Sequence, residues 1–98
     1  MPSSDFDAAD RLETRAQARA SLMLGEWAAR LMGLKDVDAY AQVVVRTGAE
    51  PGGEEAILRR VSHDLADSGL AVGAAEVAAR HAEFLAQARS RPGLTPGP

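Results

Sequence analysis

The run Leu12-Glu13-Thr14-Arg15-Ala16-Gln17-Ala18-Arg19-Ala20-Ser21-Leu22-Met23-Leu24-Gly25-Glu26-Trp27-Ala28-Ala29-Arg30-Leu31-Met32-Gly33-Leu34 has apolar residues at Leu12, Ala16, Ala20, Met23, Trp27, Leu31 and Leu34. Their spacings are four, four, three, four, four and three. Such steps return side chains to one face of an α-helix, whereas a half-buried strand needs steps of two. A helix from about Asp7 to Met32, stopped by Gly33 and Lys35, would be roughly 40 Å long at ~1.5 Å per residue and could serve as a spine. Trp27, the sole tryptophan, is expected to be the large core residue around which the rest of the chain packs. Gly25 costs about 1 kcal/mol relative to Ala inside a helix, so a crossing helix is expected close to its backbone.

Three further segments repeat the pattern. Asp36 stands at an N-cap position ahead of Val37, Tyr40, Ala41, Val44 and Val45, and Thr47-Gly48 ends the run. Val43-Val44-Val45 could also be read as a strand, but a strand that short would find no partner in this chain, and a helix is preferred. Glu50-Pro51-Gly52-Gly53 reads as a turn, and Glu54-Glu55 then place negative charge in a helical first turn, where the macrodipole favours it. In that helix Leu58, Val61 and Leu65 are expected inward with Ile57 at the edge, and Ser68-Gly69 stops it. The last helix runs from about Ala74 to Arg89, with Val77, His81, Phe84, Leu85 and Ala88 on its apolar side. Four helices, each apolar along one stripe, satisfy those stripes by packing together. The expected fold is therefore all-α: one domain over 1–98, a four-helix bundle with a long first helix, ordered over about 7–90. Tails at 1–6 and 91–98 are expected to be disordered, the second because its Pro/Gly-rich sequence has nothing to bury.

Composition agrees and excludes several functions. Of 98 residues, 46% are hydrophobic, and twenty of those are Ala, the best helix former, against four aromatics. A net charge of −3 argues against nucleic acid as the main partner, because phosphate binding needs a basic face. No cysteine is present for a disulfide or a thiolate metal site, no apolar run approaches the ~18 residues of a membrane span, and no secretory leader opens the chain. A cytoplasmic protein without membrane insertion is expected.

Candidate chemistry is sparse. Ser62-His63-Asp64 holds the residue types of a hydrolase triad, but neighbours on a helix point about 100° apart and cannot bond in series. His63 is expected to be solvated near Asp67, and His81 to be partly buried and satisfied by a neighbour rather than a ligand. No third ligand type clusters with either, so no metal is expected. Gly52-Gly53 lacks the rest of a phosphate-loop pattern and is followed by two glutamates that would repel an anion. Arg11, Arg15 and Arg19 form a row beside the apolar stripe; such a row is ordinarily a solvated face, and alternatively a surface for an acidic partner.

The segments Ala16-x-Ala18-Arg19, Leu24-Gly25-Glu26-Trp27-Ala28-Ala29-Arg30-Leu31-Met32-Gly33-Leu34, Tyr40-Ala41-x-x-Val44-Val45, Glu50-Pro51-Gly52-Gly53-Glu54-Glu55 with Leu58-Arg59, and Asp64-Leu65 follow one another in an order that resembles the zeta subunit family of alphaproteobacterial F-type ATP synthases. The resemblance covers about residues 16–89 without a gap. It implies a non-enzymatic inhibitor: a four-helix bundle docked on the catalytic head, whose N-terminal arm enters a catalytic interface and blocks hydrolytic rotation. It also implies a cytoplasmic protein that is peripheral to the membrane through the synthase and a monomer when free. No cofactor is required, although the family bundle is associated with an adenine nucleotide ligand; no residue for that carries over.

The departure lies in the arm. Family members carry a charged stretch of the type Phe-Asp-Asp-Arg-Glu followed by a Phe- and Lys-rich stretch, where this sequence has Phe6-Asp7 and then Ala8-Ala9-Asp10-Arg11. About ten residues of the arm are expected to be missing, with weakened inhibition as the consequence. The partner-binding residues expected from this reading are Phe6, Asp7, Arg11, Arg15 and Arg19. The alternative is a stand-alone bundle that binds an adenine nucleotide or other small ligand without inhibiting.

Overall fold

The computed structural model describes residues 4–90, with side chains from Ala9 onward. It contains four helices and, among the described residues, no strand: α1 (Ser4–Met32), α2 (Val37–Gly48), α3 (Gly53–Asp67) and α4 (Ala74–Ser90). The long first helix is present, at 29 residues. It begins at Ser4 rather than near Asp7, so Ser4-Asp5-Phe6 belong to the helix, while the rest of the expected tails, 1–3 and 91–98, lies outside the described residues.

Local chemistry sets the ends of these helices. Gly33, at φ +70°, closes α1: its N–H donates to the Arg30 carbonyl at 3.1 Å and that of Leu34 to the Ala29 carbonyl at 3.0 Å, a Schellman pair that satisfies two orphan carbonyls. Gly69, at φ +82°, closes α3 in the same way through Ala66 and Leu65. The Asp36 carboxylate caps α2 by accepting from the Ala39 N–H at 2.9 Å. Val43-Val44-Val45 lies within α2, as the helical reading requires.

The core is Leu24, Ala28, Val44, Ile57, Val61, Leu65 and Val77. Its placement corrects the expected stripe on α1. The buried residues there are Ala16, Ala20, Leu24, Ala28 and Ala29, with Ser21 beside them, whereas Leu12, Leu31 and Leu34 are 51%, 43% and 40% exposed. Trp27 is half-buried, packed on the edge of the core with the Arg80 guanidinium 5.4 Å from its ring centroid. Short side chains face inward because they let neighbouring backbones come close. A Cβ on Gly25 would lie 2.7 Å from Ala41 Cα, so α2 crosses α1 at the expected place. On α3, Ile57 is fully buried and Leu58 only partly, the reverse of the expected order.

Candidate functional site

The α1–α4 seam fixes what the first helix leaves free. Arg89 donates from Nε and Nη2 to the two carboxylate oxygens of Glu13, at 3.1 and 2.5 Å, and Gln17 donates to the same carboxylate at 2.9 Å. The Arg89 bonds, with help from Gln17, hold the Glu13 carboxyl below its ordinary range, and the same contact raises Arg89. Arg89 is one residue from the end of α4, so the part of α1 before Glu13 extends past that end. Ala9 to Leu12 are exposed, and among the described side chains the first buried one is Ala16. Ser4–Leu12 forms a helical arm of roughly 13 Å at ~1.5 Å per residue, and its described side chains, Ala9 to Leu12, are the exposed ones.

Of the expected partner-binding residues, Arg11, Arg15 and Arg19 are exposed and occupy successive turns along the arm and its base. Arg11 and Arg15 border a shallow depression together with Asp10 and Thr14. Phe6 and Asp7 lie within α1, with side chains outside the described residues. The structure thus brings the arginines onto one accessible surface.

Below the arm lies a feature the sequence did not disclose, a cleft of about 410 Å³ between α1, α4 and the connection from α2 to α3. Gln17 and Ser21 line it from α1, His81 and Leu85 from α4, and Glu50 and Glu54 from the connection and the first turn of α3. The connection is close-packed: a Cβ on Gly53 would lie 2.0 Å from the Gly48 carbonyl oxygen, and one on Gly48 2.9 Å from Ser21 Oγ. Ser21 and His81 are both about 95% buried, at 4% and 5% exposure. Neither side chain makes a hydrogen bond among the described residues. His81 Nδ1 stands 3.9 Å from Glu54 Oε2, beyond hydrogen-bond length, so the expected satisfied histidine is instead an open one. Burial lowers its pKa, with the Glu54 carboxylate opposing and Arg89 adding to the effect, so at neutral pH the ring is uncharged. No Lys or Arg lines this cleft.

Tyr40 donates to Asp64 Oδ2 at 2.7 Å, and Arg60 Nε lies 3.4 Å from the same oxygen, which ties α2 to α3. Burial first, then the Asp64 bond, pushes the Tyr40 phenol above its ordinary range. Ser62, His63 and Asp64 do not assemble: Ser62 Oγ is buried without a partner, His63 is exposed with Nε2 3.5 Å from Asp67, and Asp64 serves Tyr40. Among the described residues no group of three His, Asp or Glu side chains is placed to hold a metal, and no helix is long and apolar enough to cross a membrane.

Bundle, arm and cleft make up a small all-helical domain. A family model for the ATPase inhibitor subunit zeta matches residues 3–91, and the chain belongs to that family. No curated protein and no solved structure matches it. The match takes in the arm as well as the bundle, which the motifs from Ala16 onward did not reach. Membership makes the protein one of a family of inhibitor subunits, with an ATP synthase as the partner.

Proposed function

We propose that this protein binds the catalytic head of an F-type ATP synthase through the front of α1, using Phe6, Asp7, Arg11, Arg15 and Arg19, and restrains ATP hydrolysis there. The observation that carries the reading is the arm: α1 runs past the end of α4, exposed from Ala9 to Leu12, with three arginines on accessible turns. An inhibitor that works by wedging needs a rigid element free of its own core, and an arginine row suits an acidic partner surface.

The restraint is weak. Between Phe6 and the first buried residue, Ala16, the apolar residues are only Ala8, Ala9 and Leu12, where the resemblance implies a Phe- and Lys-rich stretch. Binding energy in an interface concentrates in large anchors, and alanines supply little of it. The free protein is a monomer, cytoplasmic, and reaches the membrane only through the synthase. The other reading, a bundle that binds an adenine nucleotide, has a cleft of adequate size but less support, because its lining carries two carboxylates and no Lys or Arg for the phosphates.

The test is ATP hydrolysis by a matching synthase head, with and without stoichiometric protein. Partial inhibition is expected, and a variant in which the family's Phe- and Lys-rich stretch replaces residues 8–15 should inhibit more strongly. Binding that survives deletion of residues 1–15 unchanged would remove the arm from the interface.

A further inference from the structure

The cleft below the arm collects polar groups that the bundle itself does not use. Ser21 and His81 are the buried polar side chains among the described residues, yet both open into the cleft without a hydrogen-bond partner there. Unlike Ser62 Oγ, which is sealed off without a partner, their polar atoms face the opening, and a ligand that enters it can take the place of water as their partner. The walls are apolar at Ala18, Val45, Ile57 and Leu85, and the rim carries the carboxylates of Glu50 and Glu54.

Charge decides what kind of ligand fits. The start of α3 presents about half a positive charge to the cleft. The two lining carboxylates bring two full negative charges, and no cationic side chain lines the site. His81 Nδ1 lies 3.9 Å from Glu54 Oε2, and a neutral imidazole keeps one of its two ring nitrogens as an acceptor. An anion is therefore repelled, whereas a cation with N–H donors meets carboxylate, imidazole and hydroxyl acceptors at the end of an apolar channel.

We propose that this cleft receives the side chain of a lysine or arginine presented by a partner protein, its aliphatic stem along Ile57 and Leu85 and its charged head between Glu54, Glu50, His81 and Ser21. This is a second contact, separate from the arm, and it assumes nothing about which partner carries the basic residue. Long basic side chains bury an apolar stem while keeping a charged tip, which is the shape and polarity of the opening.

The test uses the intact, isolated protein, so its outcome does not depend on the synthase. Nα-acetyl-L-lysine methylamide and its arginine counterpart are titrated while backbone amide NMR shifts are followed at low salt. Shifts centred on Ser21, Gly53, Glu54 and His81 are expected for both. Glu54→Gln should weaken binding roughly three- to five-fold, the range of a partly exposed ion pair, and Glu50→Gln/Glu54→Gln should weaken it further. Both residues are exposed, and the amide spectrum itself reports whether each variant is folded. Equal binding of the uncharged Nα-acetyl-L-norleucine methylamide would overturn the proposal, as would localised binding of inorganic phosphate or no localised shift with either basic probe. Tighter binding of free cadaverine than of the blocked lysine would overturn the assignment to a protein side chain.

Discussion

Gly25→Ala separates two effects of opposite sign. In an isolated helix the change gains about 1 kcal/mol, because alanine loses less backbone freedom. Here the new methyl would stand 2.7 Å from Ala41 Cα and 3.2 Å from both Cβ and Cγ2 of Val44, against an ordinary carbon separation of about 3.5–4.0 Å. The nearest obstacle is backbone, which cannot rotate aside, so α1 and α2 must separate by about 1 Å. Overpacking of this kind costs typically ~1–3 kcal/mol, and backbone against backbone belongs at the upper end. Net of the propensity gain, the variant should be less stable by about 2 kcal/mol, which lowers the Tm of a domain this size by roughly 8–16 °C. Thermal and urea unfolding followed by far-UV circular dichroism and by Trp27 emission would measure it. A variant as stable as the parent, or more stable, would mean that α2 does not press on Gly25, and the crossing of the two helices would have to be redrawn.

Leu24→Ala should cost about 3–4 kcal/mol because Leu24 is fully buried at the centre, and Trp27→Ala only about 1–2 kcal/mol because the indole sits at the core's edge; urea midpoints that reverse this order would restore Trp27 to the centre. His81 makes stability depend on pH. Its pKa is lowered in the folded state, so the unfolded chain takes up the proton first, and stability is complete above the ordinary value of 6.5 and declines as pH falls from there toward the folded value. His81→Gln should flatten this decline between pH 7 and 5 in urea titrations, and unchanged slopes would show that the ring is not desolvated.

The four helices were legible because their signals are local. Asp36 as a cap, Gly33 and Gly69 as stops, and apolar steps of three and four each act within a few residues of where they stand. The choice of which face turns inward was not. Spacing alone put Met23 and Trp27 inside, since both fall on a stripe with Ala16 and Ala20, yet the structure turns the helix so that Leu24 and Ala28 lead. Two adjacent stripes compete on this helix. The larger side chains favour one; the closer approach of α2 at Gly25 requires the other. Periodicity counts apolar residues but does not weigh how near a neighbour's backbone can come, and Ile57 and Leu58 exchanged places for want of the same information. Gly25 was the clue that pointed the right way, because a glycine within a helix makes sense only where something leaves no room for a Cβ.

The site divides along the same line. The arginine row could be read from spacing, since residues four apart on one helix remain neighbours whatever the rest of the chain does. The cleft could not, because it joins Ser21, Glu50, Glu54 and His81 from three helices and a connection, and its shape depends on a fit of Gly53 against the Gly48 carbonyl that a single Cβ would block. Glycine at both positions lets the connection fold tightly beside Ser21, and that tightness brings Glu54 to the edge of His81. Glu54, one of the two glutamates after Gly53 that as sequence only argued against phosphate, becomes in three dimensions, with Glu50, the negative wall of an opening. One feature of sequence thus bears on both sides of recognition: it excludes the anion and selects the cation, and the buried, neutral ring of His81 leaves that selection intact at neutral pH.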